Sequence, residues 1–139
     1  MGFSWGHSQA HFCRALLESI AYEYAFYLSI LVDQLPGLAL VEARAVGGGA
    51  RSAAWNQIKA DVLDLPYQSL GCSELGTWGA ALIAGKAVGL FDDLAAVAVT
   101  AAQPVGESLA PRPELRGTYD KLAAQYVALQ ETLHGYFGR

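Results

Sequence analysis

Three consecutive glycines at residues 47–49 separate two segments of different periodicity. Before them, residues 40–46 form a short, partly alternating apolar run, which predicts a strand. After them, Trp55, Ile58 and Val62 recur at the three- and four-residue steps of a helix. Glycine gives the intervening turn backbone conformations that other residues rarely adopt. A strand, a glycine turn and a helix in this order predict an α/β fold.

The rest of the chain also divides into short elements. In chain order, we predict a helix over residues 7–35, a short strand over 67–70, a helix over 74–88 capped by Ser73 and followed by Gly89, a short helix over 92–101, an irregular or edge-strand stretch over 103–109, and a last helix beginning near Pro113. Ser52 is the predicted N-cap of the helix after the glycines. The result is an α/β layer of few strands flanked by helices.

Two of the predicted helices carry a clear apolar stripe. In the first helix the predicted buried stripe is Cys13, Leu16, Ile20, Tyr24, Tyr27 and Leu31, and in the last helix it is Leu115, Tyr119, Leu122, Tyr126, Leu129 and Leu133. Tyr22 and Phe26 add to an aromatic set on the first helix that we expect in the core or at a domain interface.

Composition limits the classes of partner. The 139 residues suit one domain, at roughly 100–200 residues per domain, and 53% of them are apolar while 16% are charged. A soluble domain usually carries about 25% charged residues, so we expect apolar surface that another domain covers, and self-association of the chain alone. The net charge of −4, without a basic stripe, argues against nucleic acid as a ligand.

The cysteines and the apolar segments bear on location. Cys13 and Cys72 are far apart with no C-x-x-C motif, and the chain opens with neither a basic start nor an apolar leader. These features favour a reducing, cytoplasmic setting. The most apolar run, residues 24–32, is shorter than the roughly 20 residues that span a bilayer, so no membrane anchor is expected.

Two polar groups could suggest sites. His7 and His11 have a spacing that can bind a metal, but no third ligand is evident, so we expect a packing or capping role and no metal site. Gln57, Asp61 and Asp64 form a polar stripe that we predict to be solvated.

The glycine turn is the best candidate for ligand binding. Bare backbone before a helix N-terminus lets a ligand approach closely and favours an anion. The sequence here matches neither G-x-x-x-x-G-K-[ST] nor G-x-G-x-x-G. A tight structural turn without a ligand therefore stays open at this point.

Four motifs in register carry a family resemblance. They are residues 46–61 (VGGGARSAAWNQIKAD) with Leu65-Pro66, residues 74–85 (ELGTWGAALIAG), residues 11–21 (HFCRALLESIA), and Pro111 followed by Tyr119 and Tyr126. Together they resemble the C-terminal domain of the FGGY carbohydrate kinases, in the xylulose-kinase-like branch.

The resemblance implies part of an actin/hexokinase-like, ribonuclease H-like ATPase domain. Such kinases have two domains and transfer the γ-phosphoryl of ATP to a hydroxyl of a ketose or polyol such as xylulose. Residues 1–139 resemble a partial C-terminal, nucleotide-side domain, and the N-terminal sugar-binding domain is expected to be absent. The general base and the Mg²⁺ ligands belong to the unmatched part. No catalytic residue is therefore assigned here, and the chain alone is expected to be inactive.

The resemblance also implies the contacts with ATP or ADP. It assigns to the adenosine and α-phosphate side Gly47, Gly48, Gly49 and Ala50, and it matches Ala53 to an asparagine that holds adenine in related kinases. Gly49 is expected to need either a positive φ or space for adenosine. Arg51 is expected beside the nucleotide or simply exposed.

The helix over residues 74–88 resembles the connecting helix at the domain hinge. Its small residues, which would allow close backbone contact, are Gly76, Gly79, Ala80, Ala84 and Gly85. Outside this family, the alternative interpretation is a non-catalytic α/β interaction module whose glycine loop is only a turn.

Overall fold

The computed structural model describes residues 2–71, 74–101 and 103–137. Its elements are α1 (Gln9–Gln34), β1 (Ala43–Ala45), α2 (Ala53–Leu63), β2 (Tyr67–Leu70), α3 (Leu75–Ala87), α4 (Leu94–Ala101), β3 (Pro104–Leu109) and α5 (Arg116–Phe137), with 3₁₀ turns at Gly48–Arg51 and Pro113–Leu115. The predicted mixture of helices and few strands is confirmed. Ser73 and Cys72 lie outside the described residues.

The strands form one sheet in the order β1-β2-β3. β1 and β2 are parallel, with Ala45 opposite Ser69, and α2 connects them. β3 runs antiparallel to β2, with Ser69 opposite Val105. The segment predicted as irregular or edge strand is therefore an edge strand. β1 is shorter than the predicted run over residues 40–46.

The residues predicted to begin α2 and to end α3 are found at those helix ends. The Ser52 hydroxyl accepts a hydrogen bond from the backbone amide of Trp55 at 3.3 Å, which is the predicted N-cap. Asp64 has a left-handed backbone, with φ 53°, and ends α2. Gly89 has φ 75° just after α3, as expected for a residue that ends a helix.

α2 lies at the centre of the core. On one side Ile58 and Val62 pack with residues of α1 and α5. On the other side Ala60 packs with Ala45 and Tyr67 of the sheet. This sandwiched position explains why α2 is buried on both sides.

The predicted buried stripe of α1 is wrong. Its members are exposed, whereas Ala21 and Tyr22 are buried and Leu17 and Ala25 are partly buried against α2 and α5. α1 carries apolar residues around most of its circumference, so its periodicity does not decide which face meets the core. The exposed residues are Cys13, Leu16, Ile20, Tyr24, Tyr27 and Leu31.

α1 also meets a simple membrane criterion. By length and composition alone, the 26-residue helix could cross a bilayer, a test that core helices of soluble proteins and signal sequences also pass. The expectation of no membrane anchor rests on residues 24–32, a run shorter than the whole helix, and it stays a prediction.

The predicted stripe of α5 is correct only near the start of the helix. Tyr119 is buried, and Leu115 and Tyr126 pack against the core from partly buried positions. The remaining members, Leu122, Leu129 and Leu133, are exposed. Only part of α5 therefore contributes to the core.

The polar stripe of α2 is not the solvated face that we predicted. Asp61 is buried, and its carboxylate pairs with Arg112 at 2.6 Å. Gln57 donates hydrogen bonds to Asp61 and to the carbonyl oxygen of Ala110, each at 2.9 Å. Only Asp64 remains exposed, where it pairs with Arg116 at 2.9 Å. The pattern failed because the cation that neutralises Asp61 lies 51 residues away.

The small residues of α3 are only partly used within the chain. A Cβ at Gly85 would lie 2.8 Å from the Phe91 ring, so this glycine allows a close contact. A Cβ at Gly76 or Gly79 would meet no atom within 4 Å. At these two positions the described chain therefore makes no close contact that would require glycine.

Candidate functional site

The glycine turn begins immediately after β1. Gly47 has φ 83°, a conformation that L-residues with side chains rarely adopt, and residues 48–51 then form a single 3₁₀ turn. Gly49 does not have a positive φ, contrary to one of the two reasons that we expected for it. Gly47 is therefore the residue of the turn whose backbone conformation requires glycine.

The Trp55 ring leaves no space for a side chain at Gly49. A Cβ at Gly49 would lie 2.5 Å from Cζ3 of the Trp55 ring, closer than any real contact of this kind. The indole Nε1 donates to the carbonyl oxygen of Leu17 at 3.3 Å. The turn thus rests directly on an aromatic ring that is held by α1.

Lys59 adds a cation to the same cluster. Its Nζ lies 3.7 Å from the centroid of the Trp55 ring and 5.3 Å from that of Tyr67. Burial lowers the pKa of Lys59, because desolvation disfavours the charged ammonium. The two rings partly compensate for that cost. Together these contacts support the turn from the side of the core.

A cleft of about 280 Å³ opens above the turn. It lies at the carboxyl ends of the parallel strands β1 and β2, where open α/β sheets bind their ligands. Its lining consists of Gly47, Ala50, Arg51, Ser69, Leu70, Gly71 and Val105. The walls consist of backbone, small side chains and the apolar side chains of Leu70 and Val105, with one guanidinium and one hydroxyl.

The cleft contains only some of the predicted residues. Gly47 and Ala50 line it, whereas Gly48 and Gly49 are not among its lining residues. Ala53 is exposed in the first turn of α2 and does not line the cleft either. Arg51 is exposed and borders the cleft, and its place beside a nucleotide stays a prediction.

Two residues that the sequence did not suggest fix the turn. The carbonyl oxygen of Ala50 accepts a hydrogen bond from Nδ2 of Asn56 at 2.7 Å and another from the Ser69 hydroxyl at 3.1 Å. The partial signal available in the sequence was that Asn56 interrupts a largely apolar helix. Ser69 could be found only once the pairing of β1 with β2 was known.

The cleft is small. Its volume lies just below the roughly 300–1,000 Å³ of most small-molecule sites, so it would hold a small ligand or one part of a larger ligand. Within the described part of the chain, no three His, Cys, Asp or Glu residues are grouped to hold a metal ion. His11 accepts a hydrogen bond at Nδ1 from the backbone amide of Ser8, the N-cap of α1, which is the expected capping role, whereas His7 accepts one from Ser4 in the turn before the helix.

A larger groove lies elsewhere and has different chemistry. It measures about 670 Å³ and runs between α1 and the end of α5. The carboxylate of Glu23 in this groove already accepts hydrogen bonds from Tyr126 at 2.7 Å and Gln130 at 2.6 Å. Most of the remaining lining is apolar, so the smaller cleft is the better candidate for a polar ligand.

Comparison with known proteins agrees with this architecture. Residues 1–88 match the C-terminal domain of the FGGY family of carbohydrate kinases. The chain is 31% identical over 129 residues to the xylulose kinase of Staphylococcus epidermidis, covering 93% of this chain and 25% of that protein. It is 37% identical over 97 residues to the glycerol kinase of Citrifermentans bemidjiense, covering 70% of this chain and 19% of that protein.

A solved structure extends the likeness beyond the matched residues. The crystal structure of xylulose kinase from Rhodospirillum rubrum is 37% identical and superimposes with a TM-score of 0.75 over 100% of this chain and 28% of that one. The chain thus spans about a quarter of the length of these kinases. Their actin/hexokinase-like ATPase fold confirms the predicted fold class. The chain belongs to the FGGY family of carbohydrate kinases and carries sequence of its C-terminal domain.

Proposed function

We propose that this chain is the nucleotide-side part of an ATP-dependent sugar kinase and that its cleft binds the adenosine side of ATP or ADP. The observation that carries the proposal is the cleft itself. It joins the end of β1, through Gly47, to the end of β2, and its rim bears one cation, Arg51. Bare backbone admits the nucleoside, and the guanidinium suits a phosphate.

The proposed reaction transfers the γ-phosphoryl of ATP to a hydroxyl of a ketose or polyol. The names xylulose kinase and glycerol kinase among the relatives support this substrate class. We propose that the sugar is bound by an N-terminal domain, and that the general base and the Mg²⁺ ligands lie outside the residues described here.

The chain alone should then lack kinase activity. A coupled ADP-release assay with Mg·ATP and a panel of pentoses, hexoses and polyols tests this expectation. Sugar-dependent turnover well above background would show that the chain holds a complete active site.

We also propose a cytoplasmic location, supported by the two widely separated cysteines and the absence of a C-x-x-C motif.

A charge reversal at the cleft tests nucleotide binding. Arg51→Glu should weaken ADP binding to the 139-residue chain by about tenfold or more, because repulsion replaces a charge-assisted hydrogen bond to phosphate. Binding of adenosine, which has no phosphate, should change much less. Lys121→Glu is the matched control, since Lys121 is exposed on α5 and its substitution changes the net charge by the same amount.

The result separates the kinase interpretation from the interaction module. A chain that folds but binds no ADP would favour a glycine segment that is only a structural turn. Equal loss of ADP binding in Arg51→Glu and Lys121→Glu would mean that net charge, and not the cleft, governs the interaction.

A further inference from the structure

The carbonyl oxygen of Ala50 is held from two different elements. Asn56, in α2, donates to it from Nδ2 at 2.7 Å, and Ser69, in β2, donates from its hydroxyl at 3.1 Å. Asn56 Nδ2 also lies 3.2 Å from the Ser69 hydroxyl oxygen. Both lone pairs of the carbonyl are therefore engaged by side chains.

The orientation of the Asn56 amide follows from this geometry. A carbonyl oxygen can only accept, so the amide nitrogen of Asn56 must face Ala50. Its Oδ1 is then buried and has no hydrogen-bond partner among the described residues. An unsatisfied buried acceptor is unfavourable, so the contact with Ala50 comes with a cost to the fold.

The held carbonyl belongs to the wall of the cleft. Ala50 and Ser69 both line the cleft, Ala50 from the glycine turn and Ser69 from β2. The turn contains three glycines, and among the described residues no side chain of residues 47–51 donates a hydrogen bond to β2. The two hydrogen bonds to Ala50 therefore set the position of the turn relative to the strand, and with it the width of the cleft.

We propose that Asn56 and Ser69 are positioning residues for the nucleotide, acting through the carbonyl of Ala50. The inference rests on the proposed function, because it assumes that the cleft bounded by Ala50 and Ser69 binds the nucleoside. Neither residue needs to touch the ligand through its hydrogen-bonding group for this role. Loss of either hydrogen bond would let the turn move and would weaken binding.

The test measures ADP affinity and folding stability separately. Asn56→Ala, Ser69→Ala and the double variant are compared with the parent chain by calorimetric titration of ADP and by urea unfolding. Asp61→Ala is the matched control, because Asp61 is also buried on α2 but contacts Arg112 and not the turn. Ser69→Ala is the smaller change and provides the answer if Asn56→Ala does not fold.

A spectroscopic measurement reports on the turn itself. Trp55 lies under Gly49, and Trp5 and Trp78 are both exposed, so Trp5→Phe with Trp78→Phe leaves Trp55 as the only indole. In this background, Asn56→Ala should shift the emission of Trp55 before ADP is added. Asp61→Ala should leave that emission unchanged.

We expect Asn56→Ala to weaken ADP binding by about tenfold and Ser69→Ala to weaken it by a smaller factor. The double variant should weaken binding by less than the product of these two factors, because both side chains act on one carbonyl. Asp61→Ala should lose stability but keep the ADP affinity of the parent. Unchanged affinity in Asn56→Ala and Ser69→Ala, or an equal loss in Asp61→Ala, overturns this inference while the proposed function stands. No ADP binding by the parent overturns the proposed function and this inference with it.

Discussion

Asp61 and Arg112 join α2 to the segment that leads into α5. The Asp61 carboxylate has no solvent exposure, and it accepts hydrogen bonds from the Arg112 backbone amide at 2.9 Å and from the guanidinium at 2.6 Å. Gln57 adds a third donor. Such a carboxylate is stable in the core only while these donors remain in place.

Removing the carboxylate should therefore destabilise the fold. Asp61→Ala leaves the donors of Arg112 and Gln57 without their acceptor, and we expect a loss of about 2–4 kcal/mol in the free energy of unfolding. Urea unfolding followed by circular dichroism measures it. Asp120→Ala is the control, since Asp120 forms an exposed pair with Arg116 and should cost less than about 0.5 kcal/mol. Equal effects would contradict the role of Asp61.

The same pair predicts a dependence of stability on acid pH. Burial alone would raise the pKa of Asp61, but the hydrogen bonds from Arg112 and Gln57 outweigh it and lower the pKa below its ordinary value of 3.8. A carboxyl whose pKa is lower in the folded state stabilises the fold fully above its unfolded pKa. That contribution is lost as the pH falls through the folded pKa.

Asp61→Asn should flatten this part of the profile. The difference in unfolding free energy between the parent and Asp61→Asn should stay constant near neutral pH and shrink below about pH 4. Urea midpoints from about pH 7 to about pH 3 measure the difference. A difference that stays constant through the acid range would contradict the lowered pKa of Asp61.

The local part of the fold could be predicted because its signals are local. The Ser52 cap, the glycine turn and the short strand over residues 67–70 each depend on neighbours in sequence, and each is present in the structure. The buried face of α1 could not be predicted in this way. Its choice depends on where α2 and α5 pack, and α1 has apolar residues on either face.

Only some residues of the candidate site could be predicted from the sequence, for a related reason. Gly47 and Ala50 belong to a motif, so they could be found. Asn56 and Ser69 act on a backbone carbonyl, and Val105 reaches the cleft through the pairing of β3 with β2. These contacts depend on tertiary geometry, and no spacing in the sequence encodes them.

The two neighbouring glycines of the turn should respond differently to substitution. A Cβ at Gly49 would strike the Trp55 ring, whereas a Cβ at Gly48 would meet no atom within 4 Å. We expect Gly49→Ala to cost about 1–3 kcal/mol and to shift the Trp55 emission. Gly48→Ala, the matched control, should change stability by less than about 0.5 kcal/mol. Equal tolerance of both substitutions would contradict the packing of the turn on Trp55.

The exposed apolar face of α1 should make the isolated chain self-associate. Leu16, Tyr27 and Leu31 each expose about half of their surface on this helix. Sedimentation velocity should show dimers or larger species that increase with concentration. Leu31→Lys should shift the distribution toward monomer, while Val41→Lys, an exposed position outside α1, should not. A parent chain that stays monomeric at high concentration would show that this face needs no cover.

The most direct test of the central claim is an ADP titration of the chain labelled with ¹⁵N-glycine and followed by NMR. Of its 15 glycines, Gly47 and Gly71 line the cleft, while Gly2, Gly37 and Gly135 lie outside it. The account predicts saturable shifts of the Gly47 and Gly71 amide resonances, with the three others unchanged. Binding of ADP without shifts at Gly47 and Gly71, or shifts confined to the other three glycines, would contradict the assignment of this cleft to the nucleotide.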